Sequence, residues 1–357
     1  MISGWLLRPS AIVPSSSVQD ESCNPEVPAH ASLLKFSYRK QRSTGMTMSA
    51  VFQTPVAEPA DRGRLQAEVE GLRVNGAVLM RQGGLEVLIA PAKAIPEILH
   101  EIGRLREISF RLVGEGSGKA LDLDRFDQHY LHLFLWNEAS GEVIGAYRLG
   151  RTDLVLAEHG PSGLYCSTLF NFERAFLDHL NPGLELGRSF VVPGYQRSFA
   201  ALMALWKGIS CFVTRYPRYA RLFGPVSISQ DYTPLSRGLI VRFLREARRD
   251  EEFSPFIEPH NPYKDELPVG ISPRLESLEQ VSARVAEVEP DGKGVPVLLR
   301  QYLKLNATLL EFNVDPEFAN CLDALLMVDL RTAPGVVLKR YMGVKAYTRF
   351  MQEAVLD

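Results

Sequence analysis

Several charged side chains stand where apolar residues dominate, and these are the first candidates for chemistry. Arg148 lies inside IGAYRLGR, and Glu185 and Arg188 lie inside LELGRSFVV. A regular strand turns alternate residues to opposite faces, so Glu185 and Arg188 face apart unless a bulge near Gly187 brings them together. A carboxylate held there could take a proton from a nucleophile. A structural ion pair explains the same residues, and periodicity alone favours that second reading. In DLDRFD, Asp122, Asp124 and Asp127 surround Arg125. Carboxylates at this spacing suit a hard cation, but the glycine and distal glutamate of a calcium loop are missing. Spacing alone favours a solvated loop that caps the next element.

Two further segments invite anions. The loop VPGYQRS, with Gly194 and Arg197, ends a strand and opens a helix. Unpaired N–H groups at such a junction attract phosphate, although an ordinary turn has the same sequence and no Walker A pattern is present. Arg237, Arg242, Arg245, Arg248 and Arg249 crowd one helix. They are either a solvated face or a dock for an acidic partner or anionic membrane. No GxSxG or HExxH occurs, and His129 and His132 read as strand residues. A reaction without a covalent enzyme intermediate fits this pattern. The four cysteines form no CxxC pair and fit no zinc template, so no metal is expected.

The 357 residues carry a net charge of −2, which points away from nucleic acid. No run is long enough to span a bilayer. The short apolar N-terminal stretch is broken by Arg8 and Pro9, so no secretory signal is read. A cytoplasmic protein is expected, with attachment to the inner face of the membrane as a variant of that location. Residues 1–60, rich in Ser, Pro, Ala and Gln, are expected to be a disordered leader.

The elements that must position these side chains begin near residue 62. Apolar spacing predicts helices over 64–72, 94–110, 172–180, 198–216, 235–249, 296–305 and 336–342. It predicts strands over 85–90, 130–136, 143–150, 184–192, 221–229, 309–312 and 322–330. The 130–136 and 143–150 pair forms a hairpin. Residues 251–295 read as mostly irregular. An early hairpin among alternating helices and strands predicts an α/β fold: a mixed, twisted sheet with helices on both faces. Residues 61–357 then form a single domain with a C-terminal extension.

Residues 99–342 resemble the hemolysin-like GNAT acyltransferases, relatives of ornithine–acyl carrier protein N-acyltransferases, long-chain N-acyl amino acid synthases and acyl-homoserine-lactone synthases. The segments that carry the resemblance are LREISFR, GKALDLDRFDQHYLHLFLW, VIGAYRLG, GLYCSTLFNF, LELGRSFVVPGYQ, ALWKGI, RLFGPVSISQDY, GVPVLLRQYLKLNA and FANCLDALLMVDL. The resemblance implies a GNAT-like fold. It also implies transfer of a long-chain fatty acyl group, 3-hydroxylated or not, from acyl carrier protein to the amine of an amino acid, giving a lyso-aminolipid or N-acyl amino acid. A signal synthase of the acyl-homoserine-lactone type and a non-catalytic peripheral membrane protein are the alternatives.

By the same resemblance, Arg106 and Phe110 match the first motif, Asp124 and Asp127 the D-x-[FY]-D pair, Arg148 the strand arginine, and Glu185 and Arg188 the E-x-x-R motif. Glu185 is the expected helper in deprotonating the amine, with Arg188, Arg148, Asp124 and Asp127 beside it. Arg106, Phe110, Val191, Val192, Gly194, Tyr195 and Arg197 are expected at the substrates, with the donor edge at 191–195. No permanently bound cofactor is implied. The donor is an acyl-phosphopantetheine. The CoA-binding [QR]-x-x-G-x-[GA] loop is missing after Val192, which favours acyl carrier protein over CoA. Arg237, Arg242, Arg245 and Arg249 would then dock that acidic carrier.

Overall fold

The computed structural model describes residues 54–196, 199–264 and 277–354, and the chain from Ser49 onward is one compact unit. Its elements, in order, are α1 (Arg62–Val74), β1 (Val78–Gln82), β2 (Leu85–Pro91), α2 (Pro96–Arg111), β3 (Leu131–Asn137), β4 (Glu142–Arg151), α3 (Thr152–His159), β5 (Phe170–Phe172), α4 (Arg174–Leu180) and β6 (Gly183–Val191). Then follow α5 (Phe199–Arg215), β7 (Arg221–Ile228), α6 (Pro234–Ala247), β8 (Ile257–Pro259), α7 (Leu278–Val288), α8 (Val297–Lys304), β9 (Thr308–Asp315), β10 (Cys321–Asp329), α9 (Gly335–Met342) and α10 (Val344–Glu353).

Eight strands form one sheet in the order β1-β2-β3-β4-β6-β7-β10-β9, and β5 and β8 pair separately. All neighbours in the large sheet are antiparallel except β6 and β7. Period-two alternation sorts the side chains to two faces. On β3, Leu133 and Leu135 join the core under α5, whereas Phe134 and Trp136 join the core under α1 and α2. On β10, Leu322, Ala324, Leu326 and Val328 face the first core, and Leu325 and Met327 face a third cluster. The expected mixed α/β sheet with helices on both faces is what the chain forms.

Local chemistry fixes the helix that matters most. α2 opens with Pro96 in its first turn, and the orphan N–H groups of Glu97 and Ile98 donate to Glu68 of α1, both at 2.9 Å. That bond clamps the two helices and sets where Arg106 and Phe110 fall.

Six elements go beyond the apolar-spacing forecast: β1, α3, β5, β8, α7 and α10. α3 follows β4 with no break residue between them. α7 buries only Val281 and Val285 and is defined by a capping box between Ser277 and Gln280. It lies inside the stretch expected to be irregular. Residues 54–60, expected in the leader, are extended and bonded to the core: Thr54 N donates to Gly118 O at 2.9 Å and Ala57 N to Ala120 O at 3.0 Å. The rest of that leader lies outside the described residues.

Two departures from a regular sheet open it at the centre. The parallel pairing of β6 with β7 covers only Gly183–Glu185 against Arg221–Phe223, yet β6 runs on to Val191 and β7 to Ile228. At the fork, a Cβ on Gly224 would meet the carbonyl oxygen of Leu186 at 2.1 Å, so only glycine allows the last close approach. Opposite β4, Ala146 pairs with Phe190 and Arg148 with Gly187. β6 therefore carries one extra residue, and Arg188 takes φ 48°. The left-handed region costs a non-glycine residue about 1–3 kcal/mol.

Candidate active site

The gap between β6 and β7 holds two adjoining cavities that share Phe110, Glu115, Ser189 and Leu298. The first, about 160 Å³, is also lined by Tyr165, Arg188, Pro225, Ser227, Asp315, Phe318 and Asp323. The second, about 310 Å³, is mostly apolar and adds Val113, Tyr147, Phe190, Val191, Leu202, Leu205 and Val297. Residues of α2 and α5, from opposite faces of the sheet, meet in this second cavity, so it passes through the parted strands.

The β6 bulge decides which expected residues enter the cleft. It turns Arg188 to the same side as Glu185, but the two do not pair. Arg188 lies between the rings of Tyr165 and Phe318, its guanidinium carbon 5.2 and 5.3 Å from their centroids. Its nearest carboxylates, Asp122 and Asp124, are each 3.8 Å away, and its Nε is buried with no hydrogen-bond partner. A desolvated cation with unspent donors is suited to an incoming carboxylate.

Glu185 has a different place from the one expected. It is 1% exposed and is not among the cavity walls. Cys166 N donates to one oxygen at 2.6 Å, Tyr165 N to the other at 3.2 Å, and Tyr130 Oη also donates to it. With both oxygens occupied, Glu185 fixes the 165–166 turn and through it the Tyr165 ring above Arg188. We therefore assign Glu185 a positioning role and not the expected proton-accepting one.

The remaining expected charges form one buried network beside the cleft. Arg106 donates Nε to Asp122 at 3.1 Å, forks onto Asp127 at 3.0 and 3.1 Å, and also reaches the Asp122 carbonyl. Arg148 meets Asp124 at 2.6 Å and Asp127 at 3.3 Å. Burial pushes the Asp127 carboxyl up, but Arg106 and Arg148 more than reverse this and hold it well below the usual carboxylate range. Asp124 and Asp127 also form the capping box of the 125–128 turn. The acids of DLDRFD thus bind guanidinium groups and cap a turn; they bolt α2 and the 122–127 loop to β4. Arg106, Arg148, Asp124 and Asp127 do not line either cavity.

On the expected donor edge, Val191 lines the second cavity with Gln196, whose Nε2 donates to Val191 O at 2.9 Å. Val192 N is spent on Ile144 O at 3.1 Å, and Tyr195 Oη accepts from Asn137 Nδ2 at 2.9 Å. Val192, Gly194 and Tyr195 are therefore behind the edge and not on it. Because Val192 N points to β4, strand alternation points the N–H group of Val191 toward the gap. Phe110 lines both cavities. Arg197 lies outside the described residues.

The arginines of α6 do not make the open patch expected. Arg242 pairs with Glu246 at 2.7 Å, Arg249 approaches Glu251 at 4.0 Å, and Arg245 lies 5.5 Å from the Phe312 ring centroid. Arg237 is half-buried and has a partner within the protein. Carboxylates within a turn and one ring on β9 absorb this charge locally.

Sequence reasoning missed the carboxylates that do reach the cleft. Asp323, on β10, is 2% exposed and accepts from Ser227 Oγ of β7 at 2.7 Å. Burial, opposed by Ser227 and reinforced by Asp315 and Glu115, pushes its carboxyl up to about 7. Burial likewise raises Asp315 and Glu115, and Cys321 Sγ contacts Glu115 at 3.2 Å. A charge inside an apolar strand, the signal that singled out Arg148 and Glu185, is equally present at Asp323 in CLDALLMVD. Tyr165 and Phe318 carried no such signal.

Residues 105–207 match the family model described as an acetyltransferase (GNAT) domain. The chain is 33% identical over 245 residues to a glycine N(alpha)-acyltransferase of Phocaeicola vulgatus, covering 64% of this chain and 74% of that protein. It is 31% identical over 273 residues to a glycine N(alpha)-acyltransferase of Bacteroides thetaiotaomicron, covering 72% of this chain and 80% of that one. Among solved structures it is similar to a CoA-dependent acyl-homoserine lactone synthase, MesI, at 13% identity and TM-score 0.33, over 76% of this chain and 96% of that one. It is also similar to another such synthase, BjaI with SAM and isopentyl-CoA, at 14% identity and TM-score 0.36, over 75% of this chain and 99% of that one. With the parted sheet and the likeness to these two glycine N(alpha)-acyltransferases together, the chain belongs to the GNAT acyltransferases.

Proposed function

We propose that this chain is an N-acyltransferase of the hemolysin-like branch that moves a long-chain fatty acyl group from a pantetheine thioester to the α-amine of a small amino acid, glycine foremost. The observation that carries the proposal is the pairing, in one cavity of about 160 Å³, of Arg188, a largely buried cation whose Nε has no hydrogen-bond partner and whose nearest carboxylates stand 3.8 Å away, with a carboxyl poised near neutrality, Asp323. An α-amino acid presents the matching pair of charges, and a cavity of that size suits a small one. The names of the Phocaeicola and Bacteroides relatives agree with such an acceptor.

The chemistry follows from an already activated donor. Arg188 holds the acceptor carboxylate while the ionised Asp323 takes one proton from the ammonium group. The free nitrogen attacks the thioester carbonyl, whose oxygen gathers negative charge near the N–H group of Val191. The C–S bond breaks, the second amine proton goes to the departing sulfur, and Asp323 returns its proton to solvent. The apolar cavity past Phe190, Val191 and Leu205 holds the start of the acyl chain. Acyl carrier protein is the donor we propose, because the sequence after Val192 lacks the pyrophosphate cradle of CoA enzymes.

The test is thiol release from palmitoyl-acyl carrier protein and, separately, palmitoyl-CoA, with and without glycine, with mass spectrometry of the lipid product. Glycine-dependent release and N-palmitoylglycine support the proposal. Release that ignores every amino acid refutes it. S-adenosylmethionine consumption would favour a signal synthase instead.

A further inference from the structure

The last helical pair, α9 and α10, presents an exposed surface that is both basic and apolar. Between Asp329 and Glu353 the chain has no acidic residue, in a molecule whose acids outnumber its bases. α9 turns Leu338, Tyr341 and Met342 inward and exposes Val336, Lys339 and Arg340; α10 turns Phe350 inward and exposes Val344, Lys345 and Arg349. The spacing i, i+3, i+4 puts the α9 set on one stripe; on α10, Lys345 and Arg349, four residues apart, share a stripe, and Val344 stands about 100° from Lys345 around the helix. Gly343, at φ 80°, joins the helices, and Lys339 Nζ stands 5.1 Å from the Tyr347 ring centroid. That contact ties α9 to α10.

The exposed residues combine two properties. Val336 is 82% exposed, the most of any large apolar side chain among the described residues, and Val344 is 66% exposed. Lys339, Arg340, Lys345 and Arg349 enter no ion pair among the described residues, in contrast to the arginines of α6. Exposed valines cost free energy in water unless something covers them, and basic residues flanking them select an anionic cover.

We propose that the α9–α10 face binds the surface of an anionic bilayer, with Val336 and Val344 entering the headgroup layer and the four basic residues contacting lipid phosphates. No described helix is long and apolar enough to cross a membrane, so this contact lies along the surface. The pair packs on α5 through Trp206 and Tyr341, ring centroids 6.0 Å apart. That residue is one turn beyond Leu202, a wall of the apolar cavity. Contact here leaves that cavity close to the lipid. The physical case stands on the helices alone; only its use, delivery of an insoluble acylated product, rests on the proposed function.

The experiment is co-sedimentation of the full chain with phosphatidylglycerol–phosphatidylcholine vesicles and with pure phosphatidylcholine vesicles, at low and raised salt. Binding is expected only to the anionic vesicles and to weaken with salt. Each basic residue contributes about fivefold to partitioning, so the quadruple variant K339E/R340E/K345E/R349E is expected to lose binding. Val336→Ser with Val344→Ser should lower it by about tenfold. All six positions are on the solvent side, and unchanged circular dichroism checks the fold. Wild-type protein that ignores anionic vesicles, or a quadruple variant that binds them equally, overturns the proposal. A quadruple variant that keeps vesicle binding but loses turnover only with acyl carrier protein also overturns it, and gives the face to that acidic protein. Glycine-dependent turnover of a short-chain thioester, measured without vesicles, reports on the proposed function separately.

Discussion

Replacing Asp323 by Asn separates catalysis from stability in opposite directions. The folded protein raises this carboxyl from 3.8 to about 7. Because the folded state favours the protonated form, stability is greatest below the unfolded value. It falls as pH rises through the interval from about 4 to about 7, and is then level. A gap of about three units corresponds to about 4 kcal/mol of penalty on the ionised form at alkaline pH. Asn is neutral at every pH and can still accept from Ser227. Urea unfolding of Asp323→Asn should therefore match wild type near pH 4 and exceed it by up to about 4 kcal/mol near pH 8. Turnover should move the other way. Wild-type kcat/KM should rise with pH to a plateau with a midpoint near 7. The variant should lose about 10²–10⁴-fold and show no such limb. The two readouts guard each other, since a misfolded variant would lose both. Wild-type activity in Asp323→Asn, or a stability difference that does not change between acid and alkaline pH, would refute the reasoning.

Other substitutions probe the neighbouring groups. Arg188→Lys keeps the charge but loses the planar fork between Tyr165 and Phe318; acceptor KM should rise by about ten- to a hundredfold with donor KM unchanged, by steady-state kinetics on each substrate. Glu185→Gln should lower kcat through a displaced Tyr165 while leaving the pH midpoint near 7 where it was; a lost or shifted midpoint would make Glu185 the titrating base. Arg106→Met strands Asp122 and Asp127 in the interior and should cost about 3–5 kcal/mol in urea unfolding.

Apolar alternation made the sheet legible before any coordinates: 130–136, 143–150, 184–192 and 221–229 all correspond to strands, and the hairpin joins the first two. A bulge near Gly187 was legible only as the condition under which Glu185 and Arg188 share a side; alternation alone left them on opposite faces. What alternation cannot supply is lateral order. β10 inserts between β7 and β9, and only that long-range choice brings Asp323 opposite Ser227. Glu185 and Asp323 look alike in sequence, each a carboxylate in an apolar strand. They diverge because Tyr130 and the 165–166 turn close over one, while the parting of β6 from β7 uncovers the other. The arginines on and just after α6 read either as a solvated face or as a dock, and alternation does not place Glu246, Glu251 and Phe312 beside Arg242, Arg249 and Arg245. α7 and α10 escaped because short helices with one or two buried residues give little periodicity.

The cleft's two halves are held by different forces, and this sets where mutations will hurt. On the acceptor side nearly every feature opposes folding: Arg188 in a left-handed conformation, its Nε unpartnered, and Asp323 buried near two other carboxyls. Those costs persist only because surrounding structure over-determines the geometry. That structure is the Arg106–Asp127–Arg148 network and the Glu185 turn, neither of which lines the cavity. On the donor side the wall is ordinary core, with Phe190, Val191, Leu202 and Leu205 burying apolar surface whether or not a chain is bound. Truncating a donor-side residue therefore removes stability along with binding, as any core deletion does. Neutralising an acceptor-side residue releases strain or desolvation while removing chemistry. The network between them falls in neither class. Its loss should reduce both stability and turnover, because it is what prevents the strained half from relaxing shut.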